Sequence, residues 1–466
     1  MPALYWVRND FRLYDNSALY HATDENKDGV VAVFFITNKI WRKNNFGKNK
    51  IAFLLENLRD FSINLQKYNI PLLIKNADSQ KSVNNQLLLL AKQYKCDNIY
   101  FNRGYSLDDV KQEQKLGEHG LRIHAFDDAI IVPPGLVKTQ DDRFYSVFTP
   151  FKRKWLQVFQ ETRASLLPKP KMFSKSLLAS NIVPVLDEKP KQLTYWPIGE
   201  NVAKNRLQNF LENKIFDYER NRDFPSIDAT SALSPYLAVG TISPRYCLEA
   251  ALEINGGELN NGNAGVLAWI NELIWRDFYQ HLLFAYPSIS EYKSFKPYGD
   301  QVKWRQDKKL FRAWQDGKTG FPIIDAAMLQ LKEMGWMHNR LRMLTASFLT
   351  KLLLIDWRLG ERYFAEQLID YDFASNNGGW QWAASTGADC MPYFRVFNPE
   401  LQAKKFDKDG MFVGRYLSDK SLKPIIDYRV AKDHSLHIFK QAFANSSKNK
   451  GAASWRSPVP AAQARG

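Results

Sequence analysis

The first 130 residues alternate short apolar runs with longer stretches of helical periodicity. Four of the runs have the length and the β-branched or aromatic content of buried strands. They are ALYWV (3–7), VVAVFFI (30–36), IPLLIKN (70–76) and NIYFN (98–102). Because helix-like segments separate them, the alternation predicts a doubly wound parallel sheet, and therefore an α/β domain over residues 1–130.

The pattern changes after this domain. Residues 148–160 predict one helix, and the stretch that follows is rich in proline and aperiodic, so residues 131–200 are expected to be an interdomain linker. Residues 201–440 show helical periodicity interrupted by Gly and Pro, which predicts an all-α domain. The polar residues 441–466, rich in Gly, Ala and Ser, are expected to be a disordered tail.

Charge and aromatic content suggest a partner for this two-domain chain. The 466 residues include 64 Lys and Arg against 49 Asp and Glu, a formal net charge of +15. The first 130 residues hold only 18 of the basic and 15 of the acidic residues, so most of the excess lies beyond them. Eight of the 13 tryptophans fall between Trp269 and Trp382. A basic surplus favours a polyanionic partner, with nucleic acid ahead of an anionic membrane surface.

Cysteine usage and missing motifs exclude several classes of protein. Cys96, Cys247 and Cys390 are far apart and match no metal or disulfide spacing, which is typical of a reducing compartment. Without a signal sequence or a long apolar segment, the chain is expected to be cytoplasmic, and no feature demands more than a monomer. The patterns GxxxxGK[ST], HExxH, CxxC and GxSxG are absent, and no GxGxxG follows the first strand, which disfavours phosphate-loop NTPases, NAD-dependent Rossmann enzymes, zinc hydrolases and α/β-hydrolases.

One helix-like segment combines a carboxylate with large aromatic side chains. In AWINELIWRDFYQH (268–281), Glu272, Trp275 and Tyr279 have i, i+3, i+7 spacing and therefore share one helix face. This combination suits a site that stacks a flat ligand and hydrogen-bonds its edge. A core helix with a glutamate at its rim is the alternative.

A second segment, GWMHNRLRMLTASFL (335–349), places Asn339 and Met343 on one helix face with Arg342 beside them. Asparagine can read the edge of a base or of a flavin, and arginine suits phosphate. His338 is expected to be a hydrogen-bonded structural residue.

Two further segments carry polar groups outside the predicted helices. Residues 368–402 are predicted to be a long loop rich in Trp, Asn and Gly, in which Asp370 and Asp372 could hold sugar hydroxyls or pair with Arg342. Residues 228–244 place Ser and Thr hydroxyls just before a predicted helix. They could form an anion site or serve only as a helix cap.

Together these segments resemble the DNA photolyase/cryptochrome family. The motifs are WVRNDFRLYDNSAL, VFTPFKRKW, RDFP, TSALSPYLAVGTISPR, NELIWRDFY, GKTGFPIIDAAM, GWMHNRLRM and DYDFASNNGGWQWAASTGAD, in the family's order over about residues 3–415. The resemblance implies a Rossmann-like antenna domain joined by a wrapping linker to a helical FAD domain. Asn339 lies where the (6-4) photolyases and animal cryptochromes carry a second histidine, so the chain is most similar to the class I cyclobutane pyrimidine dimer photolyases.

The resemblance implies light-driven repair of pyrimidine dimers in UV-damaged DNA. FAD in its reduced anionic form, excited by blue or near-UV light, would pass an electron to a flipped-out dimer, whose cyclobutane ring then splits. The implied FAD-binding residues are Tyr218, Thr230, Ser231, Ala232, Leu233, Ser234, Glu272, Asn339, Arg342, Asp370, Tyr371, Asp372 and Asn376. Asn376 would face flavin N5.

Catalytic and DNA-binding roles follow from the same resemblance. The catalytic set would be Glu272, Asn339, Met343 and Asn376, with Glu272 hydrogen-bonding the dimer. The residues that contact DNA or the lesion would be Arg222, Trp275, Tyr279, Asn339, Arg340, Trp382 and Gln402. An electron-transfer chain would run from Trp380, nearest the flavin, through Trp357 to Trp304 near the surface, and no metal is implied.

The chain departs from the family pattern at two places. Ala232 stands where the pattern TSRLS has arginine, which removes one polar contact at the FAD phosphates. Ser106, Ser290 and Glu291 replace the residues with which the most similar enzymes bind a folate antenna. The second chromophore could therefore be a folate bound differently, a deazaflavin, another flavin, or absent.

Two other functions compete with repair. A flavin blue-light photoreceptor would share the fold, but it has no need for a complete dimer pocket of Glu272, Asn339, Met343 and Trp382. A nucleotide-binding transferase built on the N-terminal domain lacks support from any phosphate-loop motif.

Overall fold

A computed structural model describes residues 1–118, 120–419 and 421–448. The N-terminal domain contains one parallel sheet of five strands in the spatial order β3-β2-β1-β4-β5. The strands are β1 Ala3–Trp6, β2 Val30–Ile36, β3 Leu72–Asn76, β4 Asn98–Asn102 and β5 Arg122–Phe126. The first four confirm the predicted strands. The apolar pattern does not predict β5, because RIHAF is a partly exposed edge strand without a continuous apolar run.

Helices cover both faces of this sheet. Alternate residues of β1 point into two separate cores: Ala3 and Tyr5 into one, Leu4 and Trp6 into the other. The helices of this domain are α1 Ser17–Glu25, α2 Asn38–Lys43, α3 Lys48–Gln66, α4 Gln80–Tyr94 and α5 Leu107–Gly117. The expected doubly wound α/β architecture is thus confirmed.

The second half of the chain is helical, as expected. Its α-helices are α6 Phe148–Thr162, α7 Glu200–Asn213, α8 Tyr218–Asn221, α9 Ser234–Val239, α10 Pro244–Ile254, α11 Ala264–Ala285, α12 Lys308–Asp316, α13 Pro322–Met334, α14 Asn339–Ser347, α15 Trp357–Gln367, α16 Phe373–Ala383, α17 Pro399–Phe406, α18 Met411–Tyr416 and α19 Tyr428–Lys448. Short 3-10 helices span Lys191–Tyr195, Ile215–Asp217, Pro287–Glu291 and Pro297–Gln301, and a π-helix spans Phe348–Leu352. Within the described ranges no helix is long and apolar enough to cross a bilayer.

Two expectations about loops are wrong. The Asn-Asn-Gly-Gly sequence lies inside α16 and is not part of a loop. Asp372 caps this helix by accepting from the Ser375 backbone N–H at 2.9 Å, and burial of one helix face outweighs the low helix propensity of glycine. Residues 441–448 belong to α19 and not to a tail, while residues 449–466 lie outside the described part of the chain.

A buried charged network joins the two domains. Arg245 of α10 pairs with Asp128, which follows β5, at 2.8 Å, and with Asp15, which precedes α1, at 3.1 Å. Arg12 pairs with Asp128, and Ser243 donates to Asp15. Both carboxylates are at most 2% exposed. Burial would raise the pKa of Asp128, but the guanidinium groups of Arg12 and Arg245 hold it well below its usual range.

Candidate flavin and DNA-binding site

Helices α11 and α16 form two walls of the candidate site. The predicted helix face of Glu272, Trp275 and Tyr279 lies on α11, and α16 carries Asn376, Trp380 and Trp382. The two helices approach closely at Gly378, where a Cβ atom would lie 2.2 Å from Cδ1 of Tyr279. Only glycine allows this approach, so the sequence of α16 sets the width of the site.

Asp370 joins three of the predicted FAD-binding segments. Its Oδ2 accepts from Ser234 Oγ at 2.6 Å and from Arg342 Nη2 at 2.7 Å. Trp336, which the sequence analysis did not single out, donates Nε1–H to Ser234 Oγ at 3.2 Å. Asp370 Oδ1 is buried and has no hydrogen-bond partner among the residues that the structure describes. A buried carboxylate oxygen left free in this way fits a ligand hydroxyl, as the sugar-like part of FAD would supply.

The segment from Thr230 to Ser234 is irregular up to the start of α9. No side chain caps that helix, so the expectation of ordinary capping is wrong here, and the Ser234 hydroxyl turns to Asp370 instead. Ser231 Oγ accepts from Trp269 Nε1 at 3.3 Å. Ala232 has a φ of 48°, in the left-handed region. Leu233 is buried at 1% exposure and anchors the segment to the core.

Glu272 forms an ion pair that the sequence analysis did not foresee. Arg222 Nη1 lies 2.7 Å from Glu272 Oε1, and both side chains are partly exposed. The Arg222 guanidinium also lies over the Tyr218 ring, 5.2 Å from its centroid. Burial, followed by the charge of Glu272, raises the pKa of Tyr218 well above its usual range, so its hydroxyl stays neutral.

Trp275 presents one ring face to a stacking partner. Phe148 of α6 stacks on it with centroids 3.7 Å apart and an interplanar angle of 5°. Tyr279 packs beside Trp275, with centroids 5.8 Å apart. The stacked Phe148 comes from the motif VFTPFKRKW, which predicts a helix and carries the family resemblance but gives no sign of this stacking contact. This arrangement holds Trp275 rigidly at the edge of the site.

Three chain segments meet at the rim of the site. Arg340 donates to both carboxylate oxygens of Asp223, at 3.2 and 2.5 Å, and its guanidinium lies 4.6 Å from the centroid of Phe406. Phe406 shares α17 with Gln402. The structure therefore brings the elements carrying Arg222, Arg340 and Gln402 together, and adds Asp223 as a partner the sequence did not reveal.

Helix α14 begins at this rim. His338 Nδ1 accepts from the Arg340 backbone N–H at 3.2 Å, which confirms its expected structural role. Burial lowers the pKa of His338 to about 4, so it is neutral near pH 7. Asn339 is exposed, and Met343 is partly exposed one turn later. Both remain accessible to a ligand.

Asp372 and Tyr371 continue the wall formed by Asp370. Asp372 Oδ2 accepts from Gln280 Nε2 of α11 at 3.1 Å, so this carboxylate ties α16 to α11. Tyr371 is buried, and burial, followed by the charge of Glu361, raises its pKa well above its usual range.

The three tryptophans of the expected electron path lie in one apolar cluster. Trp380 and Trp357 are 2% and 0% exposed, and Trp304 is partly exposed and packs against their cluster. Trp304 also contacts Phe439 of α19, with ring centroids 5.8 Å apart. The Lys351 ammonium lies 3.8 Å from the Phe439 centroid, and burial lowers the pKa of Lys351 to about 7.

A cavity of about 700 Å³ opens at the carboxyl ends of the parallel strands. Its lining includes Trp6, Phe35 and Asn102 from strand ends, and it extends to Gln280 and Tyr371 of the helical domain. Strand order reverses beside β1, and such a switch point is where open α/β sheets bind ligands.

The positions that depart from the folate pattern line the same cavity, and Ser106 and Ser290 both accept hydrogen bonds from the first turn of α5. Ser106 caps α5 by accepting from the Asp109 backbone N–H at 3.2 Å. Ser290 Oγ accepts from the Leu107 backbone N–H at 3.3 Å. The Ser290 hydrogen bond joins α5 to the helical domain where the folate-type contact would otherwise lie, and Ser106 is occupied as the cap of α5.

Comparison with known proteins identifies the family. The family described as DNA photolyase matches this chain over residues 3–171. The family described as the FAD binding domain of DNA photolyase matches it over residues 269–449. A deoxyribodipyrimidine photo-lyase of Escherichia coli is 41% identical over 422 residues, covering 89% of each chain. The chain belongs to the DNA photolyase family, which confirms the resemblance read from its motifs.

Two solved structures share its fold over nearly the whole chain. A bacterial class III photolyase from Agrobacterium tumefaciens is 32% identical, with a TM-score of 0.84 over 95% of this chain and 98% of its own. An archaeal photolyase from Sulfolobus tokodaii, solved with two FAD molecules, is 29% identical, with a TM-score of 0.76 over 95% of this chain and 100% of its own.

Proposed function

We propose that this chain is a deoxyribodipyrimidine photo-lyase that uses light and FAD to repair cyclobutane pyrimidine dimers in DNA. The observation that carries the proposal is the contact of α11 with α16 at Gly378, which places the face of Glu272 and Trp275 opposite the helix of Asn376 and Trp380. A lesion-binding wall and a flavin-binding wall thus share one site. Family membership and the printed function of the Escherichia coli relative support the same activity.

FAD would be held by the segments that meet at Asp370. Asp370 Oδ1 would accept from a hydroxyl of the cofactor, and the hydrogen bond from Arg342 would orient that carboxylate. Tyr218, Thr230–Leu233 and Asp372 would complete the cradle, and Asn376 would face flavin N5. When bound, reduced FAD supplies the electron that excitation by light makes available to the dimer. The protein contributes binding, orientation and electrostatics.

The pair of Glu272 and Arg222 would recognise the edge of the flipped-out dimer. It offers a hydrogen-bond acceptor directly beside a donor, 2.7 Å apart. A pyrimidine imide edge carries the complementary pattern, an N–H flanked by carbonyl oxygens. Trp275 and Trp382 would flank the lesion, and Met343 and Asn339 would pack on it. Tyr279, Arg340 and Gln402 would lie at the DNA-facing rim, and basic side chains would supply affinity that does not depend on sequence.

The tryptophans Trp380, Trp357 and Trp304 would carry electrons from the surface to the flavin. Their common apolar cluster, and the partial exposure of Trp304 beside the buried Trp357 and Trp380, support Trp304 as the member nearest the surface. The chain's three cysteines are free, which supports a protein that acts in the reducing cytoplasm.

A second chromophore would occupy the cavity at the strand ends. The engaged positions of Ser106 and Ser290 disfavour a folate in the usual geometry, and the cavity, lined by Trp6, Phe35 and Trp41, favours a flat aromatic cofactor such as a flavin or deazaflavin. Fluorescence excitation of the purified protein tests this: energy transfer from a bound second chromophore is expected, and its absence after reconstitution with flavins and deazaflavins would refute it.

The repair proposal is tested with purified, chemically reduced protein and thymine-dimer DNA. Dimer content should fall in the light and stay constant in the dark. Equal dimer content in both arms would refute repair. If dimer content is equal in both arms but light still changes the absorption spectrum of the bound flavin, the protein is better explained as a photoreceptor.

A further inference from the structure

One buried carboxyl group of the helical domain has no role in the site described so far. Trp357, Glu361 and Phe364 of α15 have i, i+4, i+7 spacing and form a buried helix face. The Glu361 side chain is 0% exposed. Because burial of a carboxyl group costs free energy unless it is hydrogen-bonded, its partners indicate its role.

Asn376 provides the hydrogen bonds that Glu361 accepts. Its Nδ2 lies 2.9 Å from Glu361 Oε1 and 3.1 Å from the Glu361 backbone oxygen. An amide group that faces two acceptor oxygens must present its NH2 group to them. Both amide hydrogens are thereby used, and Oδ1 of Asn376 points away from Glu361.

The second oxygen of the carboxyl group, Glu361 Oε2, is buried and finds no hydrogen-bond partner within the described part of the chain. Burial raises the pKa of Glu361 to about 7, against the lowering by the Asn376 hydrogen bond and by Arg362. The titratable groups around it are Arg362, Tyr371 and Tyr292, and the charge of Glu361 contributes to the raised pKa of both tyrosines. The group can therefore bind a proton near neutral pH.

We infer that Glu361 is a positioning residue that holds Asn376 with its amide oxygen toward the bound cofactor. The inference rests on the proposed function, in which Asn376 faces flavin N5. In this orientation Asn376 offers an acceptor to an N–H donor of the cofactor. When two electrons and one proton convert bound FAD to its reduced anionic form, one negative charge is added beside Asn376. Glu361 takes up at most one further proton from solvent on Oε2, which offsets that charge.

Three variants test this inference. Glu361→Gln keeps an oxygen acceptor for Asn376 but cannot titrate, and Glu361→Leu removes both properties. Glu366→Gln changes an exposed glutamate of the same helix and serves as the matched control. Two quantities are measured for each: FAD affinity of the reconstituted apoprotein, and the midpoint potential of bound FAD between pH 6 and 8.

Because reduction of FAD to its anionic form takes up one proton on the flavin, the potential of every variant should fall with rising pH. The wild type should show an additional, steeper step around pH 7, because proton uptake by Glu361 also accompanies reduction. Glu361→Gln should bind FAD within about threefold of wild type and lose that pH-dependent step. Glu361→Leu should weaken FAD binding about tenfold, the loss expected for one hydrogen bond to a charged group. Glu366→Gln should match wild type in both.

The inference is overturned if Glu361→Gln keeps the pH-dependent step, or if folded Glu361→Leu matches wild type in both measurements. If Glu361→Leu does not fold, a double-mutant cycle of Glu361→Gln with Asn376→Ser decides: additive effects on the potential would overturn the inference, and non-additive effects would support it. Wild-type dimer repair is measured in parallel. Absence of dimer repair by the wild type would refute the proposed function. The coupling of Glu361 to Asn376 would then still be tested by the midpoint potentials of bound FAD.

Discussion

Two neighbouring glycines of α16 should respond to alanine in opposite directions. Alanine at either Gly378 or Gly379 gains about 1 kcal/mol of helix propensity over glycine. At Gly379 the added Cβ would have no atom of the described residues within 4 Å, apart from the backbone of its own helix and the adjacent residues. At Gly378 the Cβ would lie 2.2 and 2.3 Å from ring carbons of Tyr279, so ring or helix must move by about 1 Å to reach ordinary contact.

The size of the effect follows from how firmly Tyr279 is held. Trp275 and Phe278 pack against its ring, each with centroids 5.8 Å away, so the ring has little room to move. Overpacking costs about 1–3 kcal/mol, and a contact of 2.2 Å belongs at the upper end of that range, about 2–3 kcal/mol, which exceeds the propensity gain of about 1 kcal/mol. We therefore expect Gly378→Ala to destabilise the folded state by about 1–2 kcal/mol and Gly379→Ala to stabilise it by about 0.5–1 kcal/mol.

Denaturant unfolding of the two apoprotein variants beside wild type measures these changes. FAD affinity provides a second readout, because a wider gap between α11 and α16 should weaken binding in Gly378→Ala only. If both variants shift the unfolding midpoint in the same direction, the reasoning about the helix contact is wrong.

Four further predictions concern single groups and salt. Glu272→Ala should lower the repair yield about ten- to a hundredfold, measured as dimers split per absorbed photon, with FAD still bound; an unchanged yield would contradict its contact with the lesion. Trp304→Phe should block photoreduction of oxidised FAD in absorbance spectra but spare repair by already reduced enzyme, and loss of that repair would contradict its place on the electron path. Burial lowers the pKa of Lys351 from its usual 10.5 to about 7 in the folded protein. The charged lysine therefore destabilises the fold most below pH 7. Between pH 7 and 10.5 the free energy of unfolding should rise by up to about 1.4 kcal/mol per pH unit. Lys351→Met should accordingly raise the unfolding midpoint more at pH 6.5 than at pH 9, and a pH-independent difference would refute this. The affinity for dimer-containing DNA should fall linearly on a log–log plot against salt concentration, as phosphate contacts require, and a flat plot would exclude them.

The sequence predicted the architecture well because apolar periodicity reports burial directly. It failed where local and tertiary preferences differ. Asn-Asn-Gly-Gly has the local chemistry of a turn, yet α16 forms because Asp372 caps it and its neighbours bury one face. The edge strand β5 lacks a continuous apolar run because only part of it is buried.

The sequence predicted which types of residue lie in the site better than it predicted which of those residues contact each other. Helical spacing placed Glu272 and Trp275 on one face, but no spacing rule links Glu272 to Arg222 or Asp370 to Ser234, because the tertiary fold alone brings these segments together. Glu361 left one signal that could have been used: a charged residue at a helical position whose neighbours at i−4 and i+3, Trp357 and Phe364, are apolar.

The buried network of Asp15, Asp128, Arg12 and Arg245 makes each domain dependent on the other for charge neutrality. A fragment that ends before Arg245 would leave Asp15 without its main cation, and a fragment containing only the helical half would carry Arg245 without either carboxylate. Since an uncompensated buried charge costs several kcal/mol, neither fragment should reach the native fold by itself. Mixed together, the two fragments should fold only as a complementing pair, so the chain behaves as one cooperative unit although its architecture has two parts.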